Sequence, residues 1–220
     1  THAAADEWEA VTKCKVVEGY GLTETSPVVS FNPPGEQQIG TIGIPVAETI
    51  VKILDDDGNE VPQGESGALC VSGPQVMKGY WKREAATQEI MVNGNFLNTG
   101  DIALIQADGY LKIVDRAKDM VIVSGFNVYP TEIEDCLCSH PDVLEAAVIG
   151  IPDEKTGEAV KAFVVLKGDD VQFDIKKLRN YGRESLTAYK VPKIIEARDD
   201  LPKTNVGKVL RRALRDEEVA

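Results

Sequence analysis

Short apolar runs separated by turn residues dominate the first 116 residues of the chain. Each run is bounded by glycine, proline, asparagine or aspartate, which is typical of strands. Asp-Gly pairs at 57–58 and 108–109 indicate turns between neighbouring strands. Residues 98–101 are predicted to turn into a further strand, and helical patterns are confined to 6–13 and 83–91. The predicted strands of this mainly antiparallel part are residues 15–18, 49–54, 67–72 and 110–114.

The pattern changes after residue 116, because apolar strands now alternate with helices. The runs at 143–149 and 160–166 are spaced for a small antiparallel sheet, and 120–123 is a further strand. Pro130 and Thr131, followed by early acids, predict the start of a helix that ends near residue 139. Further elements predicted in this part are an amphipathic helix at 175–186, a loop at 201–208 and a cationic helix at 209–215.

The two patterns meet at four charges in five positions: Asp115, Arg116, Lys118 and Asp119. A buried strand rarely carries so many charges. Taken alone, these charges also fit an exposed turn between two strands. The change of pattern on either side favours a junction between two bodies, so the sequence predicts an α+β fold with domains at 1–116 and 117–220.

Composition allows one large or two small domains, since the chain has 220 residues of which 43% are hydrophobic. The net charge is −12, and residues 1–116 carry 8 basic against 17 acidic residues. An acidic total argues against a nucleic-acid partner. The four cysteines show no Cys-x-x-Cys spacing and only two histidines accompany them, so no zinc site is predicted. No apolar run is long enough to cross a bilayer.

Polar residues on predicted turns are the candidates for chemistry. Glu24 beside Thr23 can hold Mg²⁺ together with phosphate oxygens. Asp101, after a glycine, can hold a ribose diol by paired hydrogen bonds, while Arg116 and Lys208 can neutralise phosphate or carboxylate. No Ser/His/Asp triad or Gly-x-x-x-x-Gly-Lys-Ser/Thr loop is present. These residues alone suggest a nucleotide site, although each also fits an ordinary surface turn.

Four motifs follow one another along the chain: Tyr20-Gly21-Leu22-Thr23-Glu24-Thr25, Thr99-Gly100-Asp101, Asp115-Arg116 with Lys118 and Gly125, and Pro202-Lys203-Thr204 with Gly207-Lys208. Together they resemble the later motifs of the adenylate-forming enzymes, which include acyl-CoA synthetases, luciferases and peptide-synthetase adenylation domains. Residues 64–67 and 79–81 match a further family motif, with Ala68 where glutamate is usual. Residues 123–130 and 190–193 are most similar to bacterial long-chain fatty acid–CoA ligases.

The resemblance implies a β-rich C-terminal part of the large AMP-binding domain followed by a mobile α+β lid. It also implies two steps: a fatty acid attacks ATP to give acyl-AMP, and CoA then displaces AMP. In the first domain, Tyr20 is expected to stack on adenine and Thr23 to contact the α-phosphate. Glu24 is expected to bind Mg²⁺, and Asp101 to hold the ribose with help from Arg116.

In the second domain the resemblance makes Lys118 the hinge and places Gly125 where the pantetheine arm of CoA passes. Lys208 is expected to reach the α-phosphate and the carboxylate during the first step. A positioned ammonium stabilises charge that develops on phosphate, and a mobile lid can withdraw it before CoA enters. The catalytic assignments are therefore Lys208 and Glu24.

The family's Ser/Thr/Gly-rich phosphate loop is absent from the sequence and is expected upstream of Thr1. The chain is therefore predicted to be the C-terminal part of a cytoplasmic ligase that uses fatty acid, ATP and CoA but is inactive alone. Peripheral contact with the inner face of the cell membrane and a homodimer are left open. The alternatives are another adenylate-forming enzyme, such as an adenylation domain or luciferase, and a non-catalytic interaction module.

Overall fold

The structure, a computed structural model, describes residues 2–168, 173–205 and 207–219. Two compact units, Thr1–Ala117 and Lys118–Ala220, divide the chain. The boundary lies one residue after the one predicted from the sequence. Both helices and several sheets are present, so the predicted α+β class is confirmed. That the second unit is a mobile lid stays a prediction.

The first unit is built from two antiparallel sheets. One has the strand order β1-β2-β3, and the other has the order β4-β5-β7-β6 with β8 paired to β7. Buried apolar side chains from both sheets form its core: Val29, Ile53, Leu69, Val71 and Ala103. The described helices and strands of this unit are α1 (His2–Thr12), β1 (Gly19–Gly21), β2 (Val28–Phe31), β3 (Ile44–Pro45), β4 (Ile50–Leu54), β5 (Gly67–Ser72), α2 (Glu84–Ile90), β6 (Met91–Val92), β7 (Phe96–Ile105) and β8 (Leu111–Arg116).

Two sequence predictions for this unit are wrong. Residues 15–18 are not a strand; the glycine-rich residues that follow them form β1 instead. Glycine is needed there because a Cβ on Gly21 would lie 1.8 Å from the backbone oxygen of Pro27. Residues 98–101 are not a turn before a strand but lie inside β7, where the register with β5 shifts. The turn signal of Gly100, whose φ is 76°, therefore marks a β-bulge.

The second unit is one mixed sheet with apolar clusters on both faces. Its order is β10-β9-β12-β11, and β13 pairs with β12 in parallel. Successive residues of β12 point to opposite faces, so Ala162 and Val164 join one cluster while Phe163 and Val165 join the other. The described elements are β9 (Val121–Val123), β10 (Phe126–Val128), α3 (Pro130–Cys138), β11 (Val143–Asp153), β12 (Gly157–Leu166), α4 (Ile175–Ser185), β13 (Ile194–Ala197) and α5 (Arg211–Val219).

The antiparallel pairing of the two apolar runs is confirmed, since β11 and β12 pair from Val143↔Leu166 to Asp153↔Gly157. The parallel partner β13 was not predicted. The last helix begins at Arg211 rather than residue 209, and Lys208 lies on the loop before it, as predicted. This places the lysine three residues outside the helix.

We predict that trypsin cleaves the native chain first after Arg116 or Lys118. Both residues are exposed, and the junction Ala117–Asp119 forms only a single 3₁₀ turn between two units with separate cores. Lys161, which is 7% exposed in the middle of β12, is the internal control and should resist. Mass spectrometry of early digests checks this; a resistant fragment that spans the junction would contradict it.

Candidate active site

Asp101 is the centre of a three-residue cluster in the first unit. Tyr20 Oη donates a hydrogen bond to Asp101 Oδ2 at 2.5 Å. Arg116, its register partner on β8, has Nε 3.6 Å from Asp101 Oδ1. Burial, followed by the bond to Asp101, raises the pKa of Tyr20 above its usual range. The structure thus brings together three of the five residues expected at the nucleotide.

The bulge in β7 explains how Asp101 reaches this cluster. Thr99 Oγ1 donates to the Leu69 carbonyl at 2.9 Å and accepts from the Asp101 amide at 3.2 Å. The Gly100 amide donates to Asn98 Oδ1 at 3.0 Å. Side chains therefore satisfy backbone groups at the irregularity. The bulge also re-aims the residue that follows it, as bulges beside functional sites commonly do.

Thr23 and Glu24 lie on a single 3₁₀ turn, Thr23–Thr25, between β1 and β2. Buried Thr25 fixes this turn, because its hydroxyl donates to the Pro27 carbonyl at 2.6 Å and accepts from the Leu22 amide at 3.0 Å. Thr23 is exposed, and no described residue hydrogen-bonds its side chain. The buried threonine of the motif is therefore structural, and the Thr23 side chain stays exposed.

A cavity of about 280 Å³ lies beside Glu24. Tyr80 Oη donates to Glu24 Oε1 at 2.6 Å, and this bond raises the pKa of Tyr80. The cavity adjoins the bulge, so Glu24 and the backbone that carries Asp101 share one site. The lining residues are Leu22, Glu24, Tyr80, Glu89, Ile90, Leu97, Asn98, Thr99 and Gly100. Tyr80 was not among the predicted site residues, although its Gly79-Tyr80-Trp81 motif had been noted as structural.

Gly125 lies in a two-residue hairpin turn between β9 and β10 in the second unit. Ser124 has φ 52° and Gly125 has φ 82°, as a type I′ hairpin requires. A Cβ built on Gly125 meets no atom within 4 Å. The glycine is therefore required by its backbone angle, and the space around it is open.

Lys208 lies on a closed loop of the second unit. The Thr204 amide donates to the Lys208 carbonyl at 2.7 Å, and the Lys208 amide donates to Thr204 Oγ1 at 3.2 Å. Gly207, with φ 79°, allows this tight return. The Lys208 amino group is exposed and makes no ion pair or hydrogen bond with any described residue. Among the described residues, Lys208 is therefore a cation without a partner whose backbone is held by Thr204.

A basic cavity of about 650 Å³ lies in the second unit beside Ser124, the neighbour of Gly125. Four cations line it: Lys155, Arg179, Arg183 and Lys193. Asp153 is the acidic residue in the lining of this cavity. Its hydrogen-bonded ion pair with Lys193, together with a hydrogen bond from Thr156, lowers the pKa of Asp153 well below its usual value. Three positive charges in excess make this cavity suitable for an anion.

Tyr189 gives the basic cavity an aromatic wall. Its ring stacks on Phe126 of β10 with centroids 4.7 Å apart and an angle of 19° between the planes. The Arg179 side chain is held in place by the backbone, since its guanidinium donates a hydrogen bond to the Lys193 carbonyl at 2.6 Å. Sequence reasoning missed this cavity. The only available signal was Arg179 and Arg183, four apart and hence on one face of α4.

Two family models match the chain. Residues 1–81 match the model of the AMP-binding enzymes, and residues 132–208 match that of the AMP-binding enzyme C-terminal domain. The chain belongs to the AMP-binding, adenylate-forming enzyme family. The family predicted from the motifs is thereby confirmed.

Named relatives within this family include long-chain-fatty-acid–CoA ligases. The one from Escherichia coli O6:H1 is 56% identical over 97% of the chain, and the one from Bacillus subtilis is 44% identical over 96%. A feruloyl-CoA synthase from Amycolatopsis sp. is 44% identical over 90% of the chain. The chain spans 38% of the length of both ligases and 40% of that of the synthase.

Solved structures of the family share this fold. ATP-bound MatB from Rhodopseudomonas palustris matches with a TM-score of 0.91 and 36% identity, over 98% of this chain and 43% of that one. The o-succinylbenzoate CoA synthetase MenE from Bacillus subtilis matches with a TM-score of 0.83 and 35% identity, over 97% and 43%. Among the described residues, no helix is long and apolar enough to span a membrane.

We predict that Tyr20→Phe destabilises the first unit more than Tyr80→Phe. Both variants lose a phenol that donates to a carboxylate, but the Asp101 side chain is only 12% exposed whereas Tyr80 is 37% exposed. An unmade bond to a nearly buried charge costs about 1.5–3 kcal/mol, and an exposed one costs a few tenths. Urea unfolding of each variant checks this. Equal losses would mean that Asp101 does not depend on Tyr20.

Proposed function

We propose that the protein to which this chain belongs is a long-chain fatty acid–CoA ligase. It converts a fatty acid and ATP to acyl-AMP and pyrophosphate, and then transfers the acyl group to the thiol of CoA with release of AMP. The observation that carries the proposal is the 56% identity to such a ligase over nearly the whole chain. The Asp101 cluster of the first unit and the basic cavity of the second unit have the polar groups that these two steps need.

In the first unit, the Asp101 cluster supports nucleotide binding. Asp101 offers carboxylate oxygens to a ribose diol, and Tyr20 and Arg116 hold that carboxylate in place. The half-buried ring of Tyr20 provides a face for adenine. Thr23 keeps its hydroxyl available for the α-phosphate, since no described side chain uses it.

Glu24 fits a Mg²⁺ ion that arrives with ATP. One carboxylate oxygen accepts a hydrogen bond from Tyr80, and Glu89, Asn98 and Thr99 also line the cavity beside Glu24. No set of three His, Cys, Asp or Glu side chains able to cage a metal occurs in the described residues. Mg²⁺ commonly binds one or two carboxylates and keeps phosphate and water as its other ligands. Bound there, it would neutralise charge on the phosphates.

Lys208 supplies the charge for the first step. As the fatty carboxylate attacks the α-phosphate, negative charge grows on the phosphate oxygens, and a positioned ammonium stabilises it. The closed loop holds the backbone of Lys208, and its amino group is free to meet a substrate. We further propose that Lys118 is the hinge about which the second unit carries Lys208 away before thioester formation.

The basic cavity supports binding of CoA in the second step. The nucleotide end of CoA carries phosphates and an adenine, which match the cations and the aromatic wall formed by Tyr189. Gly125, on the neighbouring hairpin, leaves open space for the pantetheine arm. Peripheral membrane contact and a homodimer stay predictions.

The acid that is activated needs its own test, because a feruloyl-CoA synthase is also 44% identical to the chain. The chain can be joined behind the N-terminal part of the Escherichia coli relative and assayed with ATP, CoA and either palmitate or ferulate. Formation of palmitoyl-CoA in preference to feruloyl-CoA supports the proposal. Acyl-AMP without CoA transfer would indicate another adenylate-forming activity instead.

We predict that Lys208→Ala in this chimera slows acyl-AMP formation about 100- to 1,000-fold, the usual loss for a contact made to transition-state charge. Thioester formation from pre-made acyl-AMP should change little, because Lys208 acts in the first step. Pyrophosphate release and acyl-CoA formation measure the steps separately. Arg212→Ala is the control, since Arg212 is 82% exposed and, among the described residues, pairs only with Asp216, at 3.6 Å. Equal losses in both steps would contradict the assigned role.

We also predict that the isolated 220-residue chain forms no acyl-CoA. The Ser/Thr/Gly-rich phosphate loop of the family does not occur in its sequence. Incubation of the purified chain with palmitate, ATP, Mg²⁺ and CoA, followed by chromatography for palmitoyl-CoA, checks this. Detection of product above a Lys208→Ala control would refute the prediction.

A further inference from the structure

Helix α5, which follows Lys208, carries its charges in the unfavourable order. Arg211 and Arg212 are its first two residues, Arg215 lies at its middle, and Glu217 and Glu218 lie in its last turn. Cations near a helix N-terminus and anions near its C-terminus both oppose the helix dipole. A nine-residue helix is also marginal on its own. The position of α5 must therefore come from contacts with the rest of the unit.

Arg211 makes the densest of these contacts. Its Nη2 and Nε lie 2.6 and 2.9 Å from the two carboxylate oxygens of Glu134 on α3. Its Nη1 lies 3.2 Å from Asp119 Oδ2, and Thr131 Oγ1 lies 3.1 Å from Nη2. The side chains of Arg211, Asp119 and Glu134 are at most 17% exposed. Such bidentate, partly buried pairs hold a fixed geometry.

Glu134 and Asp119, the two carboxylates that hold Arg211, each accept a further hydrogen bond. Glu134 Oε1 also accepts the Val148 amide of β11 at 2.8 Å. Asp119 accepts Arg215 Nη2 at 2.8 Å. Burial acts to raise the pKa of Asp119, but Arg215 and Arg211 outweigh it and hold that pKa below its ordinary value. Arg211 is thus anchored to α3, to the sheet and to the residue directly after Lys118.

The Lys208 loop has two stems, and Arg211 adjoins one of them. The Leu210 amide donates to the Pro202 carbonyl at 2.7 Å, and Lys203 and Val209 form a bridge. On the other stem, Lys203 pairs with Glu145 at 2.9 Å and with Asp200 at 2.8 Å. Leu201 and Leu214, which are 2% and 0% exposed, belong to one apolar cluster, and Val209 packs against it. Ion pairs therefore clamp the loop on both sides.

We propose that Arg211 is a positioning residue that fixes the base of the Lys208 loop to Asp119, beside the proposed hinge. Any rotation of the backbone at Lys118 then moves Lys208 as part of a rigid body. The consequence for catalysis rests on the proposed function, whereas the anchoring itself does not. Arg211 touches no substrate in this role.

The far end of α5 has its own anchors, so removal of Arg211 should leave the helix docked. Lys161 Nζ lies 2.6 Å from Glu218 Oε1, and Arg198 Nη1 lies 2.7 Å from Glu217 Oε2. Leu214 is fully buried between the two ends. Loss of Arg211 should therefore loosen the loop locally and not unfold the unit.

Amide hydrogen exchange in the 220-residue chain tests the anchoring directly. Four amides report on the loop, because each donates a hydrogen bond within it: Thr204, Gly207, Lys208 and Leu210. In Arg211→Ala these amides should exchange at least tenfold faster, while amides in the middle of β12 stay protected. Arg212→Ala is the matched control, one residue away but exposed, and should match the unchanged chain. Arg211→Lys should restore part of the protection.

Three outcomes overturn the proposal: loop exchange that is unchanged in Arg211→Ala, equal effects of Arg211→Ala and Arg212→Ala, or faster exchange throughout the unit. If Arg211→Ala does not fold, Asp119→Asn serves in its place, because it keeps the side-chain shape and removes the charge. The same loop amides should then exchange faster. Unchanged exchange in that variant overturns the proposal as well.

Kinetics in the chimera separates this inference from the proposed function. Arg211→Ala should slow acyl-AMP formation about tenfold and leave thioester formation from pre-made acyl-AMP within about twofold. Equal slowing of both steps overturns a positioning role. A loosened loop with normal acyl-AMP formation supports the anchoring by Arg211 and overturns the assignment of Lys208 to the first step.

Discussion

A buried carboxylate must find a cation or a hydrogen-bond donor, and each unit of this protein contains such a carboxylate. Asp101 in the first unit is 12% exposed at its side chain, and Asp119 in the second is 9% exposed. Leaving either without partners would cost several kcal/mol. Tyr20 and Arg116 serve the first, and Arg211 and Arg215 serve the second. Tyr20, Arg211 and Arg215 come from distant parts of the sequence, whereas Arg116 comes from the neighbouring strand β8.

This constraint separates structural charges from those available for chemistry. Asp119, Glu134 and Arg211 hold one another and have little exposed surface. Lys208 is exposed, and no described residue pairs with it. Neighbouring residues show the same contrast, since Arg211 is anchored while Arg212 extends into solvent. A cationic sequence such as Arg211-Arg212 therefore combines positions with different roles, which only the packing of the helix distinguishes.

The sequence correctly predicted elements whose signals lie in neighbouring residues. It failed where the local structure depends on contacts with backbone that is distant along the chain. The apolar alternation of β11 and β12 was enough to predict their pairing, because one strand follows the other. Residues 15–18 were predicted as the strand before the first glycine motif, and Gly100 was interpreted as a turn residue. Gly21 instead permits a strand to approach Pro27, and Gly100 lies in a bulge opposite β5. Motif order identified Tyr20, Asp101 and Arg116, which the fold brings together. It gave no sign of the basic cavity, whose cations come from the loop after β11, from α4 and from the segment before β13.

The four charges at the junction of the two units now have separate explanations. Asp115 is buried, and its Oδ1 accepts the Arg116 amide at 2.7 Å, so it shapes the end of β8. Arg116 pairs with Asp101 in the first unit, and Asp119 pairs with arginines of the second. Lys118, between them, is exposed and has no partner among the described residues. A pivot between two bodies needs this arrangement: the residues on either side are each tied to one body, and the residue at the pivot is tied to neither. An exposed turn between two strands of one sheet would not require its charges to be divided between two cores. The division of partners, rather than the density of charge, is the feature that makes Lys118 suited to the hinge role proposed for it.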